Sequence, residues 1–370
     1  MTHVSEGRRP RHNRRVRGRS RLCVGGAALA SSAAFVLGSS AGSSGAGAPQ
    51  ETTSWKVAFV LEYSPARVFV VHADGSGRHR TTLPGLPYPS PNGRRLAFAV
   101  AGAWPSRLYV ADRDGRGRQP ILREKYYASC LDPVWSPDSR KLLYTTDCDV
   151  DFETIGVVNA DGSGRKMLTR KWSQNPAWSP NGRTIVFTSV ARNAPPFRLY
   201  LMDEGGRGRR RVPGRYPDPE PTPNASSGPT WSRDGRRIFF LTYQEDELRV
   251  INRAGSVSRN LTPTLAKVRD FDPSPDGRKL VLTAPGTPDR GWEIYTVNVD
   301  GSGLRQLTEN RAHDVEPTWS PDGQKIAFES TRDGNSEIYV MNADGSEQIN
   351  VSRDPRDEQQ PVWLPSGSRL

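Results

Sequence analysis

A sequence repeat with a period of 42 to 53 residues constrains the fold of this chain more than any other feature. Its clearest copy, at 316–352, reads EPTWSPDGQKIAFESTRDGNSEIYVMNADGSEQINVS. Weaker copies fill the chain from Trp55 onward, with turn anchors 42 to 53 residues apart. The anchors are Pro91, Pro137, Pro180, Arg233, Pro275, Pro321 and Pro365. Self-similarity at this period, with strand and turn signals, is typical of a β-propeller.

Each copy contains two short runs rich in β-branched and aromatic residues, such as IAFES (326–330) and EIYVMN (337–342). Such runs are strand signals, and the Asp-Gly and Gly-Ser pairs between them suit hairpin turns. The pattern predicts an all-β fold of four-stranded blades, with seven blades expected. Six or eight blades are alternatives if one degenerate copy is misassigned.

The two ends of the repeat region complement each other. The unit at 56–77 lacks the WSPDG portion of the repeat, and the segment at 361–370 consists of that portion alone. We therefore expect the C-terminal segment to join the first blade and close the ring. Closure of this kind removes the exposed sheet edges that invite aggregation.

The first 48 residues have a different composition. They contain eight arginines and one acid, and an apolar stretch at 23–37 is followed by small residues. This layout predicts an export signal at 1–48, with an uncleaved signal anchor as the alternative. A short linker at 49–54 and the propeller at 55–370 follow. The expected location is the periplasm, the cell wall or the extracellular space.

The positive net charge of the chain comes from two parts of the sequence. The net charge is +12, of which residues 1–48 contribute +7. The remaining excess is scattered among predicted turns, where arginines are ordinarily solvated. We therefore expect no nucleic-acid partner, membrane contact only through an uncleaved signal anchor, and a monomer.

The motifs WSPDGQKIAF (319–328) and EIYVMNADG (337–345) resemble the PD40, or WD40-like, repeat of the TolB propeller family. The resemblance covers about 55–370 and implies a propeller that takes part in protein complexes of the cell envelope. Similar repeats also occur in propeller domains of peptidases and in polysaccharide lyases. Only about 54 residues precede the first blade, so a separate N-terminal α/β domain of the TolB type is not expected.

Residues suited to catalysis are few. A GxSxG sequence at 38–42 lies in the export segment, and the five histidines form no motif with metal-ligand spacing. The tryptophans and the Ser-Pro-Asp-Gly turns recur with the repeat, which indicates structural roles. We therefore expect a non-enzymatic module that binds or scaffolds a protein or peptide. The alternative is a propeller-type hydrolase or polysaccharide lyase whose active site the sequence does not show.

A binding site is expected on the face opposite the WSPDG turns. Alternation of strand direction places the WSPDG and NADG turns on one face and the variable connections on the other. Polar residues begin several innermost strands there and would form a channel-mouth collar, with wetted strand ends as the alternative. The channel-mouth collar consists of Asp132, Asn175, Asp270, Glu316 and Gln360. We expect it to hold a peptide, a protein or a cation.

Three further features fall on loops. Cys130 and Cys148 flank one hairpin symmetrically, which predicts a disulfide, with two buried free thiols as the alternative. Asp147, Asp149 and Asp151 offer oxygen ligands for Ca²⁺, but the glycine and distal glutamate of an EF-hand loop are missing, which favours a solvated acidic loop. No other cofactor is expected. The Pro-rich connection at 215–228 is either a contact loop or a tolerated insertion.

Overall fold

The computed structural model describes residues 55–63, 66–100, 107–123, 133–146, 154–170, 172–191, 194–213, 228–242, 246–255, 258–286, 291–365 and 367–370. These residues form 28 strands in seven four-stranded antiparallel sheets, and no helix occurs among them. Each sheet is one blade of a β-propeller. The expected all-β fold and the count of seven blades are confirmed.

The first four blades follow the repeat, and each is given from its innermost strand outward. Blade 1 contains β28 (Gln359–Leu364), β1 (Lys56–Tyr63), β2 (Ala66–His72) and β3 (His79–Arg80). Blade 2 contains β4 (Tyr88–Pro89), β5 (Arg95–Val100), β6 (Arg107–Asp112) and β7 (Gln119–Arg123). Blade 3 contains β8 (Val134–Trp135), β9 (Lys141–Thr146), β10 (Thr154–Asn159) and β11 (Lys166–Met167). Blade 4 contains β12 (Ser173–Trp178), β13 (Thr184–Ala191), β14 (Ala194–Asp203) and β15 (Arg210–Arg211).

The last three blades have the same order. Blade 5 contains β16 (Thr230–Trp231), β17 (Arg237–Leu241), β18 (Leu248–Asn252) and β19 (Ser258–Asn260). Blade 6 contains β20 (Asp270–Pro273), β21 (Lys279–Pro285), β22 (Trp292–Asn298) and β23 (Arg305–Gln306). Blade 7 contains β24 (Asp314–Trp319), β25 (Lys325–Ser330), β26 (Glu337–Asn342) and β27 (Ile349–Asn350).

Ring closure joins the two ends of the propeller in blade 1. Strand β28 pairs antiparallel with β1, with Val57 opposite Trp363 and Lys56 opposite Leu364. The innermost strand β28 also contacts β24 of blade 7 and β4 of blade 2. The C-terminal segment therefore completes the first blade, as the sequence predicts.

The recurring tryptophan joins neighbouring blades. Each ring is buried against the apolar side chains of two blades, as for Trp178 between blades 3 and 4. In all of these tryptophans but Trp319, the indole N–H also donates to a backbone carbonyl of the preceding blade, for example from Trp178 to Val134 at 3.2 Å and from Trp363 to Thr318 at 3.1 Å. The tryptophan thus supplies both apolar area and a directional bond at the blade interface.

The repeated Ser-Pro-Asp-Gly turn is held by its own side chains. The Ser320 hydroxyl donates to Oδ1 of Asp322 at 2.6 Å, and the backbone N–H of Gly323 donates to the Ser320 carbonyl. Gly323 has a φ of 70°, a conformation that glycine adopts without the strain of a side chain. The recurring serine and aspartate are therefore structural residues of the turn.

Strand direction gives the propeller two unlike faces. Turns between the first and second strands and between the third and fourth strands of each blade lie on one face, here called the turn face. Loops between the second and third strands, and the connections between blades, lie on the opposite face, here called the loop face. The loop face contains the starts of the innermost strands, which surround the channel mouth.

Candidate functional site

Three members of the channel-mouth collar occupy the same unusual backbone conformation. Asn175, Glu316 and Gln360 have φ values of 50°, 53° and 59°, and each precedes a proline. Each lies where the pairing of an innermost strand with its neighbour shifts register, which marks a β-bulge. Bulges re-aim side chains and are frequent beside functional sites. Three bulged polar residues therefore recur around the channel mouth.

Asp270 occupies the corresponding position of blade 6 but lies in a regular ladder. It pairs with Thr283 and the next residue, Phe271, pairs with Leu282, without a register shift. No proline follows Asp270. Its side chain is fully buried, so it lies beneath the channel mouth. The absence of a bulge is the physical difference from the other three positions.

Glu329 adds an acidic group that the sequence interpretation missed. It lies on β25, directly opposite Val315 of β24, and only 7% of its surface is exposed. Its Oε1 accepts a hydrogen bond of 2.6 Å from the backbone N–H of Gln360. The other copies of the repeat have Val, Ala, Thr or Leu at this position. A single acid at a position that is otherwise apolar or hydroxylic is the sequence feature that could have identified Glu329 as a site residue.

The carboxyl groups of Asp270, Glu316 and Glu329 all bind protons more tightly than usual. Burial raises the pKa of Asp270 to about 7, and the negative charge of Glu316 adds to this effect. Burial also raises the pKa of Glu316. Burial and the adjacent Glu316 charge raise the pKa of Glu329 well above its ordinary value. Such shifts are typical of desolvated carboxyl groups that lie close together.

Cations near these carboxyl groups are few. Arg269 is partly exposed, and its Nε lies 4.0 Å from Oδ2 of Asp270. No lysine or arginine of the described chain is within ion-pair distance of Glu316 or Glu329. By contrast, buried Asp314 on the same face accepts a hydrogen bond of 2.8 Å from Arg332. The positive charge of Arg269 lowers the pKa of Asp270, Glu316 and Glu329, but by less than burial raises it.

Several predicted site residues lie outside the described residues. They are Asp132 of the collar, the cysteines 130 and 148, the aspartates 147, 149 and 151, and most of the 215–228 connection. The disulfide and the Ca²⁺ site therefore stay predictions. Within the described ranges, no group of three or more His, Cys, Asp or Glu side chains is arranged to hold a metal ion. The same ranges contain no helix with the length and apolar character that crossing a membrane requires.

Seven four-stranded blades and a closing C-terminal strand define the class of protein as a β-propeller. The model of the PD40 family, described as the TolB beta propeller domain, matches residues 50–265 and 222–370. The chain belongs to this family. The predicted resemblance to TolB-type propellers is thereby confirmed.

Three similar proteins illustrate the range of the family. The chain is 26% identical over 210 residues to the uncharacterized peptidase YuxL of Bacillus subtilis, covering 55% of the chain and 29% of YuxL. It is 40% identical over 78 residues to the Tol-Pal system protein TolB of Zymomonas mobilis, covering 21% and 15%. The crystal structure of TolB from Acinetobacter baumannii superimposes with a TM-score of 0.53 and 19% identity, covering 81% of this chain and 79% of that one.

The extent of these matches limits what they show. The chain spans less than a third of the length of either curated relative. The structural match has low sequence identity and shows the fold alone. The comparisons therefore establish the propeller and its family, and function has to be argued from the site.

Proposed function

We propose that this chain is an exported, non-enzymatic propeller that binds a protein or peptide of the cell envelope through the channel mouth of its loop face. The observation that carries the proposal is the convergence of Glu316 and Glu329 beside the bulged Gln360, without a neutralising cation within ion-pair distance among the described residues. The relatives named TolB support an envelope role. The predicted export signal supports the location.

The partner segment is basic. Two adjacent carboxyl groups in a partly desolvated site repel each other, and a lysine, arginine or terminal ammonium group would relieve that repulsion. Asn175, Glu316 and Gln360 lie at bulges of the innermost strands of three different blades, around the mouth. A peptide that enters the mouth would meet all three. This arrangement suits binding of an extended segment.

Capture of partners from the native envelope and culture fluid tests the proposal. The bait is the full chain, compared with the variants Glu316→Gln and Glu347→Gln. Glu347 is a matched control because it also has a positive φ, of 53°, but is exposed on the turn face of blade 7. The glutamine retains shape and removes only the charge.

The two variants separate the outcomes. The proposal predicts a partner that is retained by the native chain and by Glu347→Gln but lost with Glu316→Gln. A partner that is retained equally by all three baits would contradict the channel-mouth site. Turnover of oligosaccharides or peptides by the purified chain would contradict the non-enzymatic role.

A further inference from the structure

The turn face has an uneven charge that the sequence alone does not show. On blades 2 to 5 its turns contain twelve arginines and five acids. The corresponding turns of blades 6, 7 and 1 contain three arginines and six acids. Arginines that are scattered along the chain are therefore collected on one side of one face. We call the turns of blades 2 to 5 the basic arc; they are 90–94, 113–118, 136–140, 160–165, 179–183, 204–209, 232–236 and 253–255.

Many side chains of the basic arc are available to an external anion. Arg94, Arg183 and Arg236 are exposed, and their guanidinium groups make no hydrogen bond or ion pair with the described residues. Arg116 is 86% exposed, and its ion pair with Asp114 is 3.6 Å long. Pairs of this kind contribute little in water, so these charges are free to meet a partner.

A groove within the basic arc provides room for an anionic group. It lies between the turns of blades 4 and 5 and has a volume of about 460 Å³. Arg236, Arg253 and Asn181 are among its lining residues. Asp234 also lines the groove, and Arg253 donates to Thr184 there, so the two arginines exceed the single acid by one positive charge. Guanidinium groups of this kind are suitable donors to a phosphate.

The shape and composition of the basic arc favour a planar partner. Its turns are short, with three to six residues described in each, so no long loop projects from it. Among the large apolar side chains of the described chain, only Met167 is exposed, at 41%. The stacking platforms with which proteins bind single-stranded nucleic acids are therefore missing from this part of the chain. A flat, basic and apolar-poor surface suits phospholipid head groups without insertion into the bilayer.

The chain also enters the propeller from the turn face. The Trp55 indole N–H donates to Asp322 in a turn of blade 7, and the Trp55 carbonyl accepts from Ala73 in a turn of blade 1. Both contacts are on the turn face. The apolar stretch at 23–37 precedes this point by 17 residues, which reach about 60 Å at most when extended. The preceding chain therefore joins the propeller on the turn face.

We propose that the basic arc rests on an anionic phospholipid surface and orients the channel mouth away from it. Because the basic arc and the channel mouth are on opposite faces, a membrane-bound propeller would still present its loop face to a partner. The interaction is electrostatic. It should therefore weaken as salt screens the charges.

Vesicle sedimentation with the full chain tests this proposal. Two kinds of vesicle are compared: phosphatidylcholine in which about one lipid in three is anionic phosphatidylglycerol, and phosphatidylcholine alone. The test variant replaces Arg94, Arg116, Arg183 and Arg236 by glutamine. The control variant removes four positive charges from exposed loop-face residues, namely Arg170, Lys267, Arg311 and Arg353. Both variants retain the basic N-terminal segment, so its contribution is constant.

We expect the native chain to bind the anionic vesicles. The affinity of the test variant for them should be lower by about tenfold or more, because each basic residue near an anionic surface strengthens binding. The control variant should keep the native affinity, and urea unfolding should show both variants folded. Equal losses in the two variants, or equal binding to both kinds of vesicle, would overturn the proposal. Dependence on the four arginines with single-stranded DNA but not with vesicles would also overturn it.

Discussion

The backbone N–H of Gln360 donates a 2.6 Å hydrogen bond to Oε1 of Glu329. The bond joins the closing strand β28 to the second strand of blade 7. It also fixes one carboxyl group of the candidate site against the backbone of the neighbouring bulge. Ring closure and the channel mouth therefore share a contact.

Replacement of Glu329 should separate the hydrogen bond from the charge. Glu329→Gln retains an oxygen acceptor for the Gln360 N–H, and we expect its free energy of unfolding at pH 6 to stay within about 0.5 kcal/mol of the native value. Glu329→Leu leaves the buried Gln360 N–H without an acceptor and should lower the free energy of unfolding by about 2 kcal/mol. Urea unfolding measures both. Equal costs for the two variants would show that the bond does not stabilise closure.

The pH dependence of stability should reveal Asp270. Its folded pKa of about 7 exceeds the ordinary aspartate pKa of 3.8, so the folded state binds the proton more tightly than the unfolded state. The folded state therefore loses stability as the pH rises from about 4 to about 7. Asp270→Asn removes this loss and should stabilise the protein at pH 8 by up to about 4 kcal/mol, since each tenfold change in proton affinity corresponds to about 1.4 kcal/mol.

Urea unfolding of native protein and Asp270→Asn from pH 4 to pH 8 checks this expectation. The advantage of the variant should shrink as the pH falls towards 4 and vanish only below it, where Asp270 is protonated in both the folded and the unfolded state. A constant difference across the range would mean that ionisation of Asp270 is not its cause.

Two tryptophans allow the interblade hydrogen bond to be measured. The indole N–H of Trp363 donates to the Thr318 carbonyl, whereas that of Trp319 has no acceptor among the described residues. The substitutions Trp363→Phe and Trp319→Phe remove similar apolar area. We expect Trp363→Phe to lower the free energy of unfolding by about 1 kcal/mol more than Trp319→Phe, because only Trp363 has an indole hydrogen bond to lose. Thermal or urea unfolding of the pair gives the difference.

Arg78 should stabilise the connection that leads into β28. Its Nη2 lies 2.7 Å from Asp354 and 3.0 Å from Glu358, and its guanidinium stacks 4.4 Å from the Phe69 ring. Arg78→Ala would leave buried Glu358 without its cation, whereas Asp354 would keep its ion pair with Arg356, and the loss should lower the free energy of unfolding by about 3 kcal/mol. Arg118 is the matched control, because it holds the same turn position but is exposed and donates only to backbone and to Thr82. Arg118→Ala should cost less than about 1 kcal/mol.

The repeat predicts most of the fold because each copy contains its own strands, turns and interblade tryptophan. Even the closure of blade 1 follows from the two incomplete end units. The guanidinium group that lies over an aromatic pair in blades 1, 4 and 7 shows the limit of such reasoning. In blades 1 and 4 it belongs to Arg78 and Arg209 of the last turn, but in blade 7 Arg332 of a loop-face loop supplies it. The positions of these arginines in the repeat do not reveal that a different loop supplies the guanidinium group in blade 7.

The candidate site was predicted less completely for a related reason. The positions of Asn175, Glu316 and Gln360 follow from the repeat, but the burial of Asp270 depends on a bulge that blade 6 lacks. Glu329 comes from a second strand, and only the three-dimensional register brings it beside Glu316. The charge of the turn face likewise appears only when the turns are gathered by topology.

The affinity of a captured partner for the native chain, for Glu316→Gln and for Glu347→Gln, measured from pH 5 to pH 9, tests the central claim most directly. Because burial raises the pKa values of Glu316 and Glu329, a basic partner should bind more tightly as the pH rises and these groups ionise. We predict that Glu316→Gln weakens binding about tenfold at high pH and flattens the pH profile, while Glu347→Gln matches the native chain. An affinity that is independent of pH and of Glu316 would contradict the channel-mouth site.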